Sequence, residues 1–292
     1  MILTRRAVVA GGVAMALVPK RAEADVTDSV LIASDGRSIA IRTVSPRRVN
    51  PRRAILLLSH GANGTFEGLD PLMTALARDR VVMAPLHVDS EKHAQHGKLP
   101  PAEVWRTRIE DMRLLAASVR TRAPLVAVGH SYGALVAQAL GGATVFGKSV
   151  ADPRIRAVVA ISPPGPFANF VGREDWARMT VPMLVTTGTA DVVPMIAPEW
   201  TAHLASYEAN KVPGTALWVG EGVDHYFGKN IQRLSRDAPD QSAAFRVMLD
   251  IVNRYIAATV EDDRAARRWL RADGPKRAGP RLTARWAVNR QD

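Results

Sequence analysis

Short runs of apolar residues recur along this chain, separated by segments in which apolar residues are spaced three and four apart. A continuous apolar run of four to six residues is typical of a strand buried on both faces of a parallel sheet. The segments 101–122 and 241–260 have the helical spacing. The alternation therefore predicts one α/β domain, with a mostly parallel sheet and helices on both of its faces. The apolar runs are 54–59, 81–84, 125–129, 157–161, 183–187 and 216–219.

A hairpin is predicted ahead of the first apolar run. Residues 29–33 and 38–44 are rich in β-branched and apolar side chains, and Asp35-Gly36 lies between them. A helical stretch is expected at about Pro71–Arg78. No internal repeat and no low-complexity linker interrupts residues 25–263, so we treat them as one domain.

The positive charge of the chain is concentrated at its two ends. The formal net charge is +11, of which residues 1–24 carry +3 and residues 264–292 carry +7, leaving +1 for residues 25–263. A basic groove through the domain is therefore not expected, and nucleic acid is excluded as a partner. The chain has no cysteine, which excludes disulfides, thiolate metal sites and a cysteine nucleophile.

Residues 1–24 have the features of an export signal. Arg5 and Arg6 precede an apolar stretch from Ala7 to Val18, and Ala22-Glu23-Ala24 offers small residues at the positions that a signal peptidase reads. The paired arginines resemble a twin-arginine signal, although Val8 stands where that pattern prefers phenylalanine. The mature protein is therefore expected to begin at Asp25 and to be periplasmic or secreted.

The segment 264–292 forms a basic C-terminal extension with two open interpretations. It contains eight arginines and Lys276, together with Trp269 and Trp286. Its charge would allow a weak contact with an anionic surface such as lipid or a cell-wall polymer. The alternative is a solvated extension whose first part continues a helix and whose tryptophans pack on the domain.

The sharpest local motif is Gly129-His130-Ser131-Tyr132-Gly133. A buried strand precedes it and a helix rich in alanine and leucine follows it, which is the context that a Gly-x-Ser-x-Gly nucleophile turn requires. A serine on so tight a turn takes a strained backbone conformation, and side chains two residues away on either side would collide. Ser131 is therefore the candidate nucleophile.

An acid and a base follow Ser131 at the ends of later strands. Gly188-Thr189-Ala190-Asp191 follows the run 183–187, and His225 follows the run 216–219. The order serine, acid, histidine is that of one hydrolase architecture. Asp224, Glu221 and Asp175 are the other candidate acids, of which Asp224 is disfavoured because sequence neighbours in a loop rarely face each other.

A glycine-containing loop after the first parallel strand, residues 59–64, predicts an oxyanion site. Gly61 and Gly64 would let the backbone come close to a substrate carbonyl. We expect the N–H groups of Ala62 and Tyr132 to be the donors. A phosphate or dinucleotide cradle is not expected, since no Gly-Lys-Ser/Thr follows and Gly-x-Gly-x-x-Gly is absent here.

These four motifs, in this order, resemble those of the α/β-hydrolases over nearly all of residues 29–260. The chain is most similar to the dienelactone-hydrolase-like and short-chain esterase branches. It departs from true dienelactone hydrolases, whose nucleophile is cysteine, and it lacks the His-Gly-Gly-Gly loop of hormone-sensitive-lipase relatives. The resemblance implies a serine hydrolase of small carboxylic esters in which Ser131, Asp191 and His225 form a catalytic triad and no cofactor is needed. An amidase or peptidase with the same triad, and a binding protein on the same fold, remain open.

Three residues near these motifs are candidates for contact with substrate: Asn63, His87 and Tyr226. His87 opens a polar segment, 87–96, with three histidines and two carboxylates. We interpret that segment as a substrate-lining loop, with a solvated loop or a metal site as alternatives. The interval between the runs ending at Ile161 and starting at Met183 is too short for a helical cap domain. A minimal lid and an open pocket are therefore expected.

The export signal can be tested in a bacterial strain that lacks the twin-arginine pathway. We expect the precursor to stay unprocessed in that strain, because the paired arginines would not be read by the general secretory route. Cleavage is followed by the mass of the protein in the periplasmic fraction, with the parent strain as the control. Normal processing in the mutant strain would assign export to the general secretory pathway instead.

Overall fold

A computed structural model of the chain describes residues 24–272, 274–279 and 281–289. The predicted export signal, apart from Ala24, lies outside the described residues. The strands are β1 (Asp25–Ile32), β2 (Ser38–Ser45), β3 (Ile55–Ser59), β4 (Val81–Pro85), β5 (Leu125–His130), β6 (Thr144–Val145), β7 (Lys148–Ser149), β8 (Ile155–Ile161), β9 (Met183–Gly188), β10 (Ala216–Gly220) and β11 (Thr283–Val288). The helices are α1 (Phe66–Leu76), α2 (Pro101–Ser118), α3 (Tyr132–Leu140), α4 (Arg173–Trp176), α5 (Ala205–Ala209), α6 (Ser242–Val260), α7 (Arg264–Arg271) and α8 (Gly274–Ala278), with a 3₁₀ helix at Trp200–Leu204.

The main sheet has nine strands in the order β1-β2-β4-β3-β5-β8-β9-β10-β11. The six strands from β4 to β10 in this order run parallel, while β1, β2 and β11 are antiparallel to their neighbours. The N-terminal hairpin and the mostly parallel sheet are therefore as the sequence predicts. β6 and β7 pair separately.

Helices cover both faces of the sheet. Successive strand residues point to opposite sides, and both sets are apolar, so each face needs a layer of helices to bury it. In β3, Leu56 and Leu58 belong to a core shared with α1, α6 and α7, whereas Leu57 belongs to a second core shared with α2 and α3. All three leucines are completely buried. None of the helices in the described part of the chain is long and apolar enough to cross a membrane.

The parallel register brings the carboxyl ends of the strands to one edge. Ser59 at the end of β3 is opposite Gly129 in β5, and Gly188 at the end of β9 is opposite Gly220 at the end of β10. Loops that leave these strands therefore start side by side, where ligands bind in open α/β sheets.

α1 begins at Phe66, five residues before the start expected at Pro71. The side chain of Thr65 caps it by accepting a hydrogen bond from the Gly68 N–H at 3.1 Å. Pro71 lies inside the helix. The threonine cap was the better signal for the start, because Pro71 lies in the second turn, where it removes the N–H that would otherwise pair with the Glu67 carbonyl.

The segment between β8 and β9 contains only α4, which has four residues, and an isolated bridge between Phe167 and Val171. No helical cap is formed there, in agreement with the minimal lid predicted from its length.

The C-terminal segment packs on the domain. β11 adds an edge strand to β10, with Trp286 directly opposite Trp218, and Trp286 is only 7% exposed. α7 does not continue α6, because Asp262 takes a left-handed conformation and Asp263 caps a new helix by accepting from the Ala266 N–H. The outer face of α7 carries the exposed Arg264, Arg268 and Arg271, at the i, i+4, i+7 spacing of one helix face.

Replacing Trp286 by alanine should lower the free energy of unfolding by about 3 kcal/mol, because a nearly buried indole is removed from the core. Chemical denaturation measures the change. Arg285→Ala, in the same strand but exposed, is the matched control and should change the free energy by less than about 0.5 kcal/mol. Equal stability of both variants and the parent would show that β11 is not docked in solution.

Candidate active site

Ser131 lies on the tight turn between β5 and α3, with φ 53° and ψ −122°. A β-carbon on Gly129 would come within 2.1 Å of the Gly133 carbonyl oxygen, and one on Gly133 within 2.0 Å of the Ser59 carbonyl oxygen. Only glycine fits at either position, which is the steric reason for the motif spacing. The Ser131 N–H donates to the Ile161 carbonyl at 2.9 Å, and the turn places this half-buried serine at the carboxyl edge of the sheet.

Asp191 and His225 meet at the same edge. Asp191 is completely buried after β9, and its Oδ1 lies 2.7 Å from Nδ1 of His225, which follows β10. Thr187 donates its hydroxyl to Oδ2 of Asp191 at 2.7 Å. The two loops can approach this closely because Gly188 has no side chain. A β-carbon at that position would lie 2.0 Å from the Val223 carbonyl oxygen. Sequence reasoning thus identified an acid and a histidine that the structure brings together.

The other candidate acids are engaged elsewhere. The carboxylate of Asp224 accepts from the N–H groups of Tyr226 and Gly228 and from Arg236. Asp175 accepts from the Gly172 N–H and from the Thr144 hydroxyl. Glu221 is exposed and contacts Thr189.

His130 links the serine turn to the histidine loop. Its Nε2 lies 2.8 Å from the His225 carbonyl oxygen, so Nε2 carries the hydrogen and donates it. Burial, and then the neighbouring His225, lower the pKa of His130 to about 3, so the ring is neutral. Among the hydrogen bonds of the described residues, none joins Ser131 Oγ to His225 Nε2. Such catalytic contacts are often long before substrate binds.

The loop 59–64 is held from beneath by Arg108, a fully buried residue of α2. Its guanidinium donates to the carbonyl oxygens of His60 at 2.7 Å and of Gly61 at 2.9 Å. In a trans peptide the C=O and the following N–H point in opposite directions, so the Ala62 N–H points away from Arg108. Within the described part of the chain, the N–H groups of Ala62 and Tyr132 have no hydrogen-bond partner. They are therefore free to bind an oxyanion.

Asp89 holds Arg108 through two hydrogen bonds of 2.8 Å. Burial alone would raise the pKa of Asp89, but the charge and hydrogen bonds of Arg108 keep it well below its ordinary value. From the other side, Gln232 donates its Nε2 hydrogen to the Ala62 carbonyl at 2.7 Å. Sequence reasoning missed these three residues. For Arg108 a signal existed, since it lies on the apolar face of its helix beside Trp105 and Ile109.

The prediction that His87 contacts substrate is wrong. Its ring is completely buried, with Nε2 2.9 Å from the Ser59 hydroxyl and Nδ1 3.0 Å from Asp111 Oδ2. Burial, followed by the charge of Arg108, lowers the pKa of His87. This second Ser-His-Asp set is closed to solvent, because Ser59 and Asp111 are also buried. It fastens the ends of β3 and β4 to α2.

Asn63 and Tyr226, the other candidate substrate contacts, are only partly buried. Oδ1 of Asn63 lies 3.1 Å from His96 Nε2, which links the loop 59–64 to the segment 87–96. The Tyr226 ring is 5.0 Å from the His225 ring and 6.0 Å from the His130 ring. Tyr226 thus lies beside His225, at the rim of the candidate site.

The segment 87–96 does not gather a set of metal ligands. In the described residues, only Asp191, His203 and His225 place three His, Asp or Glu ligand atoms within 4.8 Å of one another. The N–O distances of 2.7 and 2.9 Å in that group are those of hydrogen bonds. His203 was not expected to have a partner from the sequence.

The family model described as "Alpha/beta hydrolase family" matches residues 55–288. No curated protein sequence matches the chain. Many solved structures share its fold, among them the following three. The esterase rPPE, studied as a point mutant, has a TM-score of 0.61 and 14% identity over 82% of this chain and 85% of its own. A protein from Klebsiella pneumoniae assigned as a dienelactone hydrolase has a TM-score of 0.59 and 15% identity over 80% and 98%. A prolyl endopeptidase has a TM-score of 0.56 and 14% identity over 84% of this chain but 40% of its own.

Replacing Arg108 by methionine should lower the free energy of unfolding by about 3–5 kcal/mol, because the carboxylate of Asp89 is left without its cation in the protein interior. Urea denaturation checks the change. Arg113→Met in the same helix, where the side chain is exposed, is the control and should alter stability by less than about 0.5 kcal/mol. A small effect at Arg108 would mean that Asp89 has access to water.

Proposed function

Because this chain belongs to the alpha/beta hydrolase family, we propose that it is a serine hydrolase that cleaves carboxylic esters. The observation that carries the proposal is the strained Ser131 turn on the same sheet edge as the Asp191–His225 pair, with φ 53° at the serine and 2.7 Å between the pair. A serine in this conformation is maintained only where the surrounding structure enforces it, and such strain clusters at functional sites.

The proposed reaction passes through an acyl-enzyme. Ser131 Oγ attacks the ester carbonyl while His225 Nε2 takes its proton, and the N–H groups of Ala62 and Tyr132 stabilise the oxyanion. When the intermediate collapses, the C–O bond to the alcohol breaks and His225 returns the proton to the alcohol. Water then attacks the acyl group in the same way and releases the acid. Asp191 orients His225 and stabilises its charged form.

An aromatic surface beside Ser131 supports substrates with a compact apolar group. The Tyr132 ring lies 4.4 Å from Trp105 and 5.5 Å from Phe167, and both Tyr132 and Phe167 are partly exposed. The short segment between β8 and β9 leaves this surface uncovered. We therefore propose short-chain or bulky exposed esters, rather than long-chain lipids that need a moving lid.

A second candidate is cleavage of an amide or peptide. It is favoured by the fold that the chain shares with a prolyl endopeptidase, and acyl transfer from nitrogen uses the same groups. A binding protein that retained the fold is the third possibility, and the assay below separates all three. If the export signal acts as predicted, the protein is periplasmic or secreted.

The purified protein should hydrolyse p-nitrophenyl acetate and butyrate faster than the decanoate, because the aromatic surface is short and open. Ser131→Ala should lose at least about a thousandfold in kcat/KM, since the nucleophile is removed. Release of p-nitrophenol measures both rates, and circular dichroism checks that the variant is folded.

Three outcomes decide between the candidates. Ester turnover that disappears in Ser131→Ala supports the serine esterase. No turnover of any ester, with cleavage of an anilide or peptide that requires Ser131, would replace it by the amidase. No turnover of either kind by the folded protein would leave the binding protein.

A further inference from the structure

A second histidine, His203, contacts the same carboxylate oxygen of Asp191 as His225 does. His203 lies in the 3₁₀ helix Trp200–Leu204 and is 1% exposed. Its Nε2 is 2.9 Å from Asp191 Oδ1 and 3.1 Å from the Asp191 carbonyl oxygen. The mechanism described above assigns no role to it.

Both ring nitrogens of His203 face atoms that can only accept hydrogen bonds. Nε2 faces Asp191, and Nδ1 lies 2.7 Å from the Pro163 carbonyl oxygen. A neutral imidazole has one bare nitrogen, which would be placed against an oxygen lone pair. Both contacts are hydrogen bonds only when both ring nitrogens carry hydrogen, that is, when His203 is an imidazolium.

The charges around His203 agree with that state. Burial lowers the pKa of His203, but the hydrogen bond and charge of Asp191 outweigh burial and raise it above its ordinary value. The same contacts, with those of His225, hold the pKa of Asp191 below its ordinary range despite burial. Among the described residues, Tyr207 and Glu208 of the adjoining α5 make no hydrogen bond to His203, so Asp191 and His225 are the titratable groups that face it.

We propose that His203 is a positioning residue that stays protonated during turnover, holds Asp191 as a carboxylate and offsets the negative charge that Asp191 presents to His225. The enzyme would then stay active at a lower pH than a triad with an uncompensated aspartate. This inference rests on the proposed serine-hydrolase function. Its physical basis is that the Asp191 carboxylate and a protonated His203 together carry no net charge.

Removing the charge of His203 while keeping a donor should shift the activity profile. In His203→Gln, the amide nitrogen can still donate to Asp191 but is uncharged. The rings of His203 and His225 are 5.8 Å apart, and a unit charge at that distance corresponds to a shift of about one to two pH units in a protein interior. We expect the midpoint of the acidic limb of kcat/KM to rise by that amount.

The experiment measures kcat/KM for p-nitrophenyl acetate between pH 4.5 and 9 in a pH-stat, with EDTA present so that no divalent ion binds the histidines. His203→Leu, which removes both the charge and the donor, should show the same shift and a lower plateau. A purely structural role would lower the plateau of both variants and leave the midpoint unchanged. That result would overturn the proposal.

The charge of His203 can also be tested without turnover. In Ser131→Ala protein labelled with ¹⁵N-histidine, both ring nitrogens of His203 should be protonated at pH 7.5, with the resonances assigned by their loss in the Ser131→Ala/His203→Gln double variant. One bare nitrogen would overturn the proposal. Because this measurement needs no activity, failure of the proposed function and failure of this inference are distinguishable.

The pH dependence of the free energy of unfolding provides a third test of the charge on His203. A group whose pKa is raised by folding stabilises the protein fully below its unfolded value, 6.5 for histidine, and loses that contribution as the pH rises through the folded value. The destabilisation caused by His203→Gln should therefore be largest below about pH 6.5 and shrink at alkaline pH. A pH-independent difference would contradict a charged His203.

Discussion

The close approach of three backbones at Ser131 is the constraint on which the rest of the site depends. Gly133 at the start of α3 lies against the end of β3, and Gly129 at the end of β5 lies against Gly133, each so close that a β-carbon would overlap a carbonyl group. The candidate nucleophile Ser131 and the loop 59–64 are therefore parts of one contact. A β-carbon on Gly61 would lie 3.3 Å from the Ser131 β-carbon, so any shift of β3 relative to β5 moves both.

That contact buries backbone carbonyl groups of the loop 59–64 beneath the candidate site. Buried charged side chains, rather than water, form hydrogen bonds with them. Arg108 satisfies two carbonyl oxygens of the oxyanion loop, and Asp89 compensates its charge. Buried ion pairs add little net stability, because desolvation offsets their attraction. The pair instead fixes the orientation of two peptide planes in the loop. The direction of the Ala62 N–H is thereby set before any substrate binds.

The strand order and the meeting of Asp191 with His225 could be predicted because they follow from local patterns and one rule of topology. Apolar runs mark the parallel strands, and residues just after such strands meet at one edge, which brings Asp191 to His225.

The wrong assignment of His87 has the opposite cause. Its ring turns inward because Asp111, 24 residues away on α2, accepts its hydrogen, and no local pattern encodes that pairing. His203 was missed for the same reason, since its partners lie 12 and 40 residues away. The buried charged residues Arg108 and Asp111 could have been recognised in the sequence, because both fall on the apolar face of α2 beside Met112.

The arrangement of charges limits proton transfer to one group. The pKa values of His60, His87 and His130 are all lowered by burial first, so these rings stay neutral. Nδ1 of His130 has no hydrogen-bond partner among the described residues, but a ring with a pKa of about 3 is too weak a base to take a proton from serine. Asp89 is paired with Arg108, and Asp191 with His203. In the proposed reaction, His225 Nε2 is therefore the acceptor for the Ser131 proton, and this follows from how the neighbouring groups are paired and buried as much as from His225 itself.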